Sequence, residues 1–315
     1  PEVIAIGEIL IDFVATRPVP HGEAPAFEKC FGGAPMNTIV AVSRLGIKAG
    51  AITAVGGDPF GQFLIEELRR NGVDVSQVKV RGDRRTTITF VANEPETGER
   101  SFLFYRRPWT GETADSALEP DDIDPNYIGK ARILHVSGFA LSQSPCREAV
   151  FKAVDCAKKS GVEVSFDPTL RLDVWDSPDI LRENYDRMLK LSDVATFSRE
   201  EAEFLLGTRE PEKAARRALE YGIGIVGIKL GDRGSFLMNR DGDNVRAPAF
   251  KVEVVDTTGA GDGWNAGLIV GLCKGWDLKR CIIVANAVGA LVVTKRGAIT
   301  AMPYEEELTE FLKRR

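Results

Sequence analysis

The chain has 315 residues, 43% hydrophobic and 28% charged, with a formal net charge of −5. That balance specifies a folded protein with a large core and excludes a disordered tract, a collagen-like repeat and a basic nucleic-acid-binding surface. Two histidines cannot build a histidine-rich metal site, five dispersed cysteines without a Cys-x-x-Cys pair read as reduced thiols, and no apolar run reaches the roughly 20 residues of a membrane span. A soluble, cytoplasmic protein is expected.

Residues 3–6, Val-Ile-Ala-Ile, open the chain as a buried strand. A helix over 37–45 stops at Gly46, a strand covers 49–55, and a helix over 60–70 stops at Asn71-Gly72. Strands follow at 133–136, 162–166, 194–197 and 225–230, with helices at 145–160, 180–191 and 212–221 between them. Short apolar strands alternating with amphipathic helices predict an α/β fold: a mostly parallel sheet flanked by helices. His135, inside Ile133-Leu134-His135-Val136, reads as a core histidine with a local partner.

Two segments, about 10–31 and 84–107, break that rhythm with extended, β-branched and aromatic runs. Thr86–Val91 and Ser101–Tyr105 flank a turn at Glu96-Thr97-Gly98-Glu99 and read as a hairpin. These segments are expected to form a small inserted β-sheet that covers a cleft as a lid, within one domain spanning 1–315. The last third is rich in Gly and Ala and helical over 260–275, 278–294 and 304–314.

The sharpest chemical signal is Asp256-Thr257-Thr258-Gly259-Ala260-Gly261-Asp262 at the start of a helix. Glycines there leave backbone N–H groups open, and with the helix dipole they form a site for phosphate oxygens. A carboxylate closing such a loop can take the proton of a hydroxyl that attacks phosphorus. An acidic helix start alone explains one aspartate, not two acids flanking Thr-Thr-Gly-Ala-Gly. Gly222-Ile223-Gly224-Ile225-Val226-Gly227 matches a dinucleotide fingerprint but runs from helix to strand, the reverse of what that site needs. No Gly-x-x-x-x-Gly-Lys-Ser/Thr loop is present, so nucleotide phosphates would need another cradle.

The 256–262 block resembles the C-terminal signature of the ribokinase or PfkB carbohydrate kinases, and Gly32-Gly33-Ala34-Pro35-Met36-Asn37 the N-terminal one. Five further blocks resemble the family in the same order: Gly7–Phe13, Val55–Gly61, Asp167–Arg171, Lys229-Leu230-Gly231 with Gly234, and Lys295–Ala298. The resemblance implies a ribokinase-like fold and an ATP-dependent sugar kinase. It makes Asp262 the catalytic base and the backbone of Gly259, Ala260 and Gly261 the anion hole. Asp12, Gly32, Gly33, Asn37, Phe104, Arg106 and Arg171 would form the sugar pocket. Ser198, Lys229, Gly231, Gly234 and Asn286 would border the nucleotide. Glu201 would organise Mg²⁺ through water. Asp256 and Thr258, with the backbone around Lys295, Gly297 and Ala301, would hold a monovalent cation such as K⁺.

Read from residues alone, Asp and Asn suit vicinal hydroxyls, and Gly32-Gly33 permits either close backbone approach or a plain turn before a helix capped by Asn37. Ser198-Arg199-Glu200-Glu201 has Ser where the family usually carries Asn, and Ser-x-x-Glu is also a helix capping box. Thr169 likewise stands where Asn is common.

Gly7–Thr16, Glu23–Lys29 and Phe104-Tyr105-Arg106 with Pro108 resemble fructokinases, while Trp109–Thr113 looks like extra sequence at the pocket rim. The resemblance therefore implies a fructokinase making fructose 6-phosphate. The alternatives are a 2-keto-3-deoxygluconate kinase, a nucleoside kinase and a non-catalytic sugar-binding regulator. The bare face of the small sheet predicts a homodimer.

Overall fold

The computed structural model describes residues 1–93 and 100–314; the turn expected at 96–99 lies outside them. Nine strands form one sheet in the order Asn244–Ala247, Ser235–Asn239, Ile225–Lys229, Val194–Ser198, Glu163–Asp167, Ile133–Ser137, Val3–Ile6, Ala49–Gly56 and Asp74–Arg81. The first two pairings are antiparallel and the rest parallel.

Val3–Ile6 shows why its sequence is continuously apolar. Ile4 and Ile6 enter one core, Val3 and Ala5 the other, and all four are fully buried. Each isoleucine so placed contributes roughly 1.5–3 kcal/mol relative to exposure. On the Ile4 side lie the helices Cys146–Lys159, Pro178–Leu191, Arg199–Leu206 and Pro211–Leu219. On the Val3 side lie Ala34–Arg44, Pro59–Arg70, Ala260–Cys273, Leu278–Val293 and Glu305–Lys313. His135 sits in the sheet with Nδ1 3.1 Å from Ser165 Oγ, and burial pushes its pKa down to about 4.

A second, four-stranded sheet has the order Phe27–Gly32, Leu10–Ala15, Thr87–Asn93, Arg100–Tyr105. Its outer pairings are antiparallel, including the expected hairpin, and the central one is parallel because it joins two separate chain segments. Arg100, Phe102 and Phe104 alternate onto the same face as Asp12, while Leu103 and Tyr105 face away and stay 47% and 44% exposed.

The sequence reading misses three strands: Asp74–Arg81, Ser235–Asn239 and Asn244–Ala247. It also starts one helix too late. The helix expected over 37–45 begins at Ala34 with Pro35 in its first turn, where a proline's missing N–H is harmless. Asn37 is therefore inside the helix and not its cap. The helix expected over 260–275 spans Ala260–Cys273, with Asp262 in its first turn.

Candidate active site

Two helix N-termini converge at the mouth of the cleft. Helix Ala260–Cys273 starts from Gly259, whose φ of 73° is left-handed and costs a glycine little. In its first turn, the N–H groups of Gly261 and Asp262 have no acceptor within the helix and remain for an anion. Helix Ala34–Arg44 starts from Gly33, with φ 110°; a Cβ there would lie 2.5 Å from the Glu8 carbonyl oxygen. From this second helix Asn37 donates through Nδ2 to Asp262 Oδ2 at 2.8 Å, and Thr38 donates to the Asp262 carbonyl at 3.3 Å. Burial pushes the Asp262 carboxyl up to about 6, reinforced by Asp167 and opposed by Asn37, Lys229 and Arg171. A base near 6 is largely ionised at neutral pH yet basic enough to take a proton.

Asp262 borders a cleft of about 750 Å³. At one end stand Glu8, Asp12, Asn37, Phe102, Phe104 and Arg171. Phe104 stacks on Phe102 with centroids 5.9 Å apart and packs at 5.3 Å from Phe139, giving an apolar wall. Arg171 lies over the Phe102 ring at 4.8 Å. Asp12 is pushed up to about 7 by burial, against the pull of Arg100 and Arg171. Gly32 belongs to the strand beside Asp12, where a Cβ would meet Asp12 Oδ2 at 2.4 Å.

Arg106 corrects the sequence reading. It is 1% exposed, pairs with Asp115 through Nη1–Oδ2 at 3.0 Å, packs on Phe139, and is absent from the cleft wall. An arginine buried this deeply needs a permanent counter-charge, and Asp115 supplies it. Arg100 reaches the cleft instead. Its alternation with Phe102 and Phe104 was the overlooked signal.

At the other end, Lys229 forms an ion pair with Asp167, which also accepts from Asn265. Against its own burial, the Lys229 charge and these hydrogen bonds hold Asp167 far below the usual carboxylate range. Glu201 closes a reciprocal capping box: Oε2 accepts from Ser198 N at 2.8 Å, and Ser198 Oγ accepts from Glu201 N at 3.1 Å. Glu201 Oε1 accepts from Leu170 N at 3.0 Å, so both oxygens are engaged once. Burial first, then Asp167, raises its pKa. Thr169, at φ 42°, turns back to Asp167 through its N–H at 2.9 Å.

A second cavity of about 490 Å³ continues from the first, sharing Lys229, Gly231 and Gly261, and ends among Gly234, Trp264 and Asn286. Asn286 is saturated internally: Oδ1 accepts from Ser235 Oγ at 2.6 Å and Trp264 Nε1 at 2.9 Å, and Nδ2 donates to Pro248 O at 3.0 Å. It shapes the wall without a free polar atom. Beside the anion loop, Asp256 accepts from Thr258 N at 3.0 Å, Thr258 Oγ1 at 2.7 Å and Gly297 N at 2.8 Å, and pairs with Arg100. Burial works against ionisation there, but these donors hold Asp256 below its usual range.

The chain matches the pfkB family carbohydrate kinase over residues 1–305. It is 37% identical to a probable fructokinase-7 of Arabidopsis thaliana over 98% of this chain and 92% of that one. It is 35% identical to a 5-dehydro-2-deoxygluconokinase of Clostridium perfringens over 99% and 93%. Among solved structures, it is similar to a putative Ribokinase II from E. coli in complex with ATP and Mg²⁺, with TM-score 0.90, 32% identity, and 100% and 99% of the two chains covered. A fructokinase double mutant from Vibrio cholerae O395, in its fructose, ADP and potassium ion bound form, gives TM-score 0.88, 33% identity, and coverage of 99% and 98%. The glycine-started helix, the buried carboxylate and the two-ended cleft thus sit in a chain that belongs to the pfkB family of carbohydrate kinases and is an ATP-dependent sugar kinase.

Proposed function

We propose that the chain transfers the γ-phosphoryl group of ATP to the C6 hydroxyl of fructose. The observation that carries this reading is the position of Asp262: one residue faces both ends of the cleft from the first turn of a helix whose N–H groups remain free. The sugar lies toward Asp12 and Asn37, against the Phe102–Phe104 wall, with Arg171 donating to its hydroxyls. ATP lies toward Lys229, Gly231 and Gly234, with its adenine near Asn286. Asp262 accepts the hydroxyl proton as the oxygen attacks phosphorus, and ADP leaves. The N–H groups of Gly261 and Asp262 stabilise charge on the migrating group.

Among the described residues no cluster of three metal-ligating side chains exists. That suits Mg²⁺, which keeps several waters and binds mainly to nucleotide phosphates. Glu201 retains lone pairs for those waters beyond the two that accept from Ser198 N and Leu170 N, and the metal would supply charge neutralisation at the phosphates. A monovalent cation would sit at Asp256, Thr258 and the backbone near Gly297. Asp256 is ionised but already shares its charge with Arg100, so K⁺ stimulates the reaction without being essential. Replacing K⁺ by tetramethylammonium tests this: a residual rate of at least one tenth is expected, and complete loss overturns it.

The acceptor is tested by kcat/KM for fructose and for 2-keto-3-deoxygluconate at saturating Mg·ATP. Fructose is expected to win clearly, since Phe104 offers no hydroxyl to a substrate carboxylate. The sugar acid is the second reading, favoured by the cleft-facing Arg171 and the gluconokinase relative; its preference would overturn fructose while leaving the kinase intact. Five free cysteines support a reducing, cytoplasmic setting. The outer face of the small sheet, where Phe90 packs against Phe13, Phe27 and Tyr105 beside half-exposed Leu103, supports a homodimer. Leu103→Asp should yield monomers by analytical ultracentrifugation.

A further inference from the structure

Glu8 has no task in the mechanism above. It follows the central strand Val3–Ile6, at the point where the chain leaves the large sheet for the small one, and it is 3% exposed. Its Oε1 is fixed by two donors, Ala34 N at 3.2 Å and Ser137 Oγ at 3.1 Å. Its Oε2 is buried and has no partner within the protein, although Glu8 borders the sugar end of the cleft. Asn37, on the same cleft wall, presents a second such atom: Oδ1 is unpartnered while Nδ2 serves Asp262. A buried polar atom left unmatched is costly, so two of them around one end of a cleft mark where a polar ligand completes the site.

We propose that Glu8 is a further substrate-binding residue, holding a hydroxyl of the acceptor sugar through Oε2; this rests on the sugar-kinase reading. The charge state agrees. Burial pushes the Glu8 carboxyl up to about 8, with the Ser137 hydrogen bond and Arg106 opposing and Asp115 reinforcing the rise. Arg106 does not neutralise it, because Arg106 is paired with Asp115, whose Oδ1 also accepts from Thr113 at 2.8 Å. At neutral pH Glu8 is mainly the neutral acid, a donor through Oε2, and Asn37 Oδ1 is an acceptor. A sugar hydroxyl both accepts and donates, so the pair suits neutral hydroxyls. A site whose buried polar groups are matched only by the right substrate discriminates strongly against one lacking those hydroxyls.

The test is steady-state kinetics of the full chain with fructose and Mg·ATP each varied, for the parent and for Glu8→Gln, Glu8→Asp and Glu8→Met, with melting temperatures alongside. Glutamine keeps a donor at the Oε2 position and should leave the sugar KM within threefold. Aspartate keeps the acid but withdraws it by one methylene, and methionine removes it. Both should raise the sugar KM tenfold or more while kcat and the ATP KM stay within threefold. A Glu8 that merely supports the fold, for instance by serving Arg106 through a water, would lower the melting temperature and leave the sugar KM unchanged. That result overturns the proposal, as does an ATP KM rising in step with the sugar KM. Should Glu8→Met fail to fold, the glutamine and aspartate variants decide: a sugar KM within threefold for both overturns the proposal. A parent that forms no sugar-dependent ADP would instead sink the kinase-substrate reading, and it is read before any variant is made.

Discussion

The two ends of the cleft are built on different principles. At the proposed nucleotide end, Asp167, Glu201, Asn286 and Asp256 spend their polar atoms on neighbouring side chains and backbone groups. At the proposed sugar end, Glu8 Oε2 and Asn37 Oδ1 are buried without partners, and the carboxyls of Glu8 and Asp12 have pKa values pushed upward. The first arrangement is a rigid frame that stands before a ligand arrives. The second is complete only with the substrate in place, and unmatched buried groups of that kind create discrimination between substrates. Specificity should therefore reside at the sugar end and chemistry at the seam, with the nucleotide end supplying position.

The hardest test of the seam is Asp262→Asn. Loss of the base should lower kcat by roughly 10²–10⁴, with ATP binding retained in calorimetry. Turnover within about threefold of the parent would move the proton to another residue. Next comes Asn37→Ala, which removes both a sugar partner and the hydrogen bond that lowers the Asp262 pKa. The sugar KM should rise roughly tenfold or more, the size of a lost hydrogen bond in a buried polar site. In the parent, kcat/KM should fall as the pH drops through about 6, and the variant should move that acid limb upward. An unmoved limb would mean that Asp262 is not the titrating base.

At the frame, Glu201→Gln should raise the Mg²⁺ concentration for half-maximal rate a few-fold. It should also lower the melting temperature slightly, because an amide oxygen cannot replace both accepting oxygens. An unchanged Mg²⁺ titration with a lowered melting temperature would leave Glu201 as a cap alone.

The smallest effect is on stability. Glu8 and Asp12 have folded-state pKa values raised to about 8 and 7, so between about pH 6.5 and 8.5 the folded protein binds more protons than the unfolded one. Stability must then fall as pH rises through that window. His135, held near 4 in the fold against 6.5 when unfolded, opposes the trend only at the lower edge of that window. The ligand-free protein should melt a few degrees lower at pH 8.5 than at 6.5, and Glu8→Gln should flatten the slope.

Much of this was legible in the sequence, because the layered α/β pattern, the glycine loop with Asp262 and the apolar centre of the sheet are local signals. The small sheet was legible too, in Thr86–Val91 and Ser101–Tyr105. The misses have physical causes. Asp74–Arg81 is a half-exposed edge strand whose polar alternation resembles a loop. The strands Ser235–Asn239 and Asn244–Ala247 surround Asp241-Gly242, a hairpin signal that was not used. Arg106 and Arg100 lie on neighbouring stretches of one insert, and only the tertiary partners Asp115 and Asp256 show which one reaches the cleft.

The strand order of the large sheet has a bearing on synthesis. From Ile133–Ser137 onward, each new strand of the sheet lies beside the one made before it, out to Asn244–Ala247. The sheet can thus extend edgewise as the polypeptide leaves the ribosome, without waiting for distant partners. The helices Ala260–Cys273, which carries Asp262, and Leu278–Val293 help cover the Val3 side and emerge after every strand. A nascent chain therefore holds a nearly finished scaffold with one side incompletely covered and without Asp262 until its last segment is made. Interrupted translation products should be sticky and inert, which makes them ready clients for chaperones and proteases.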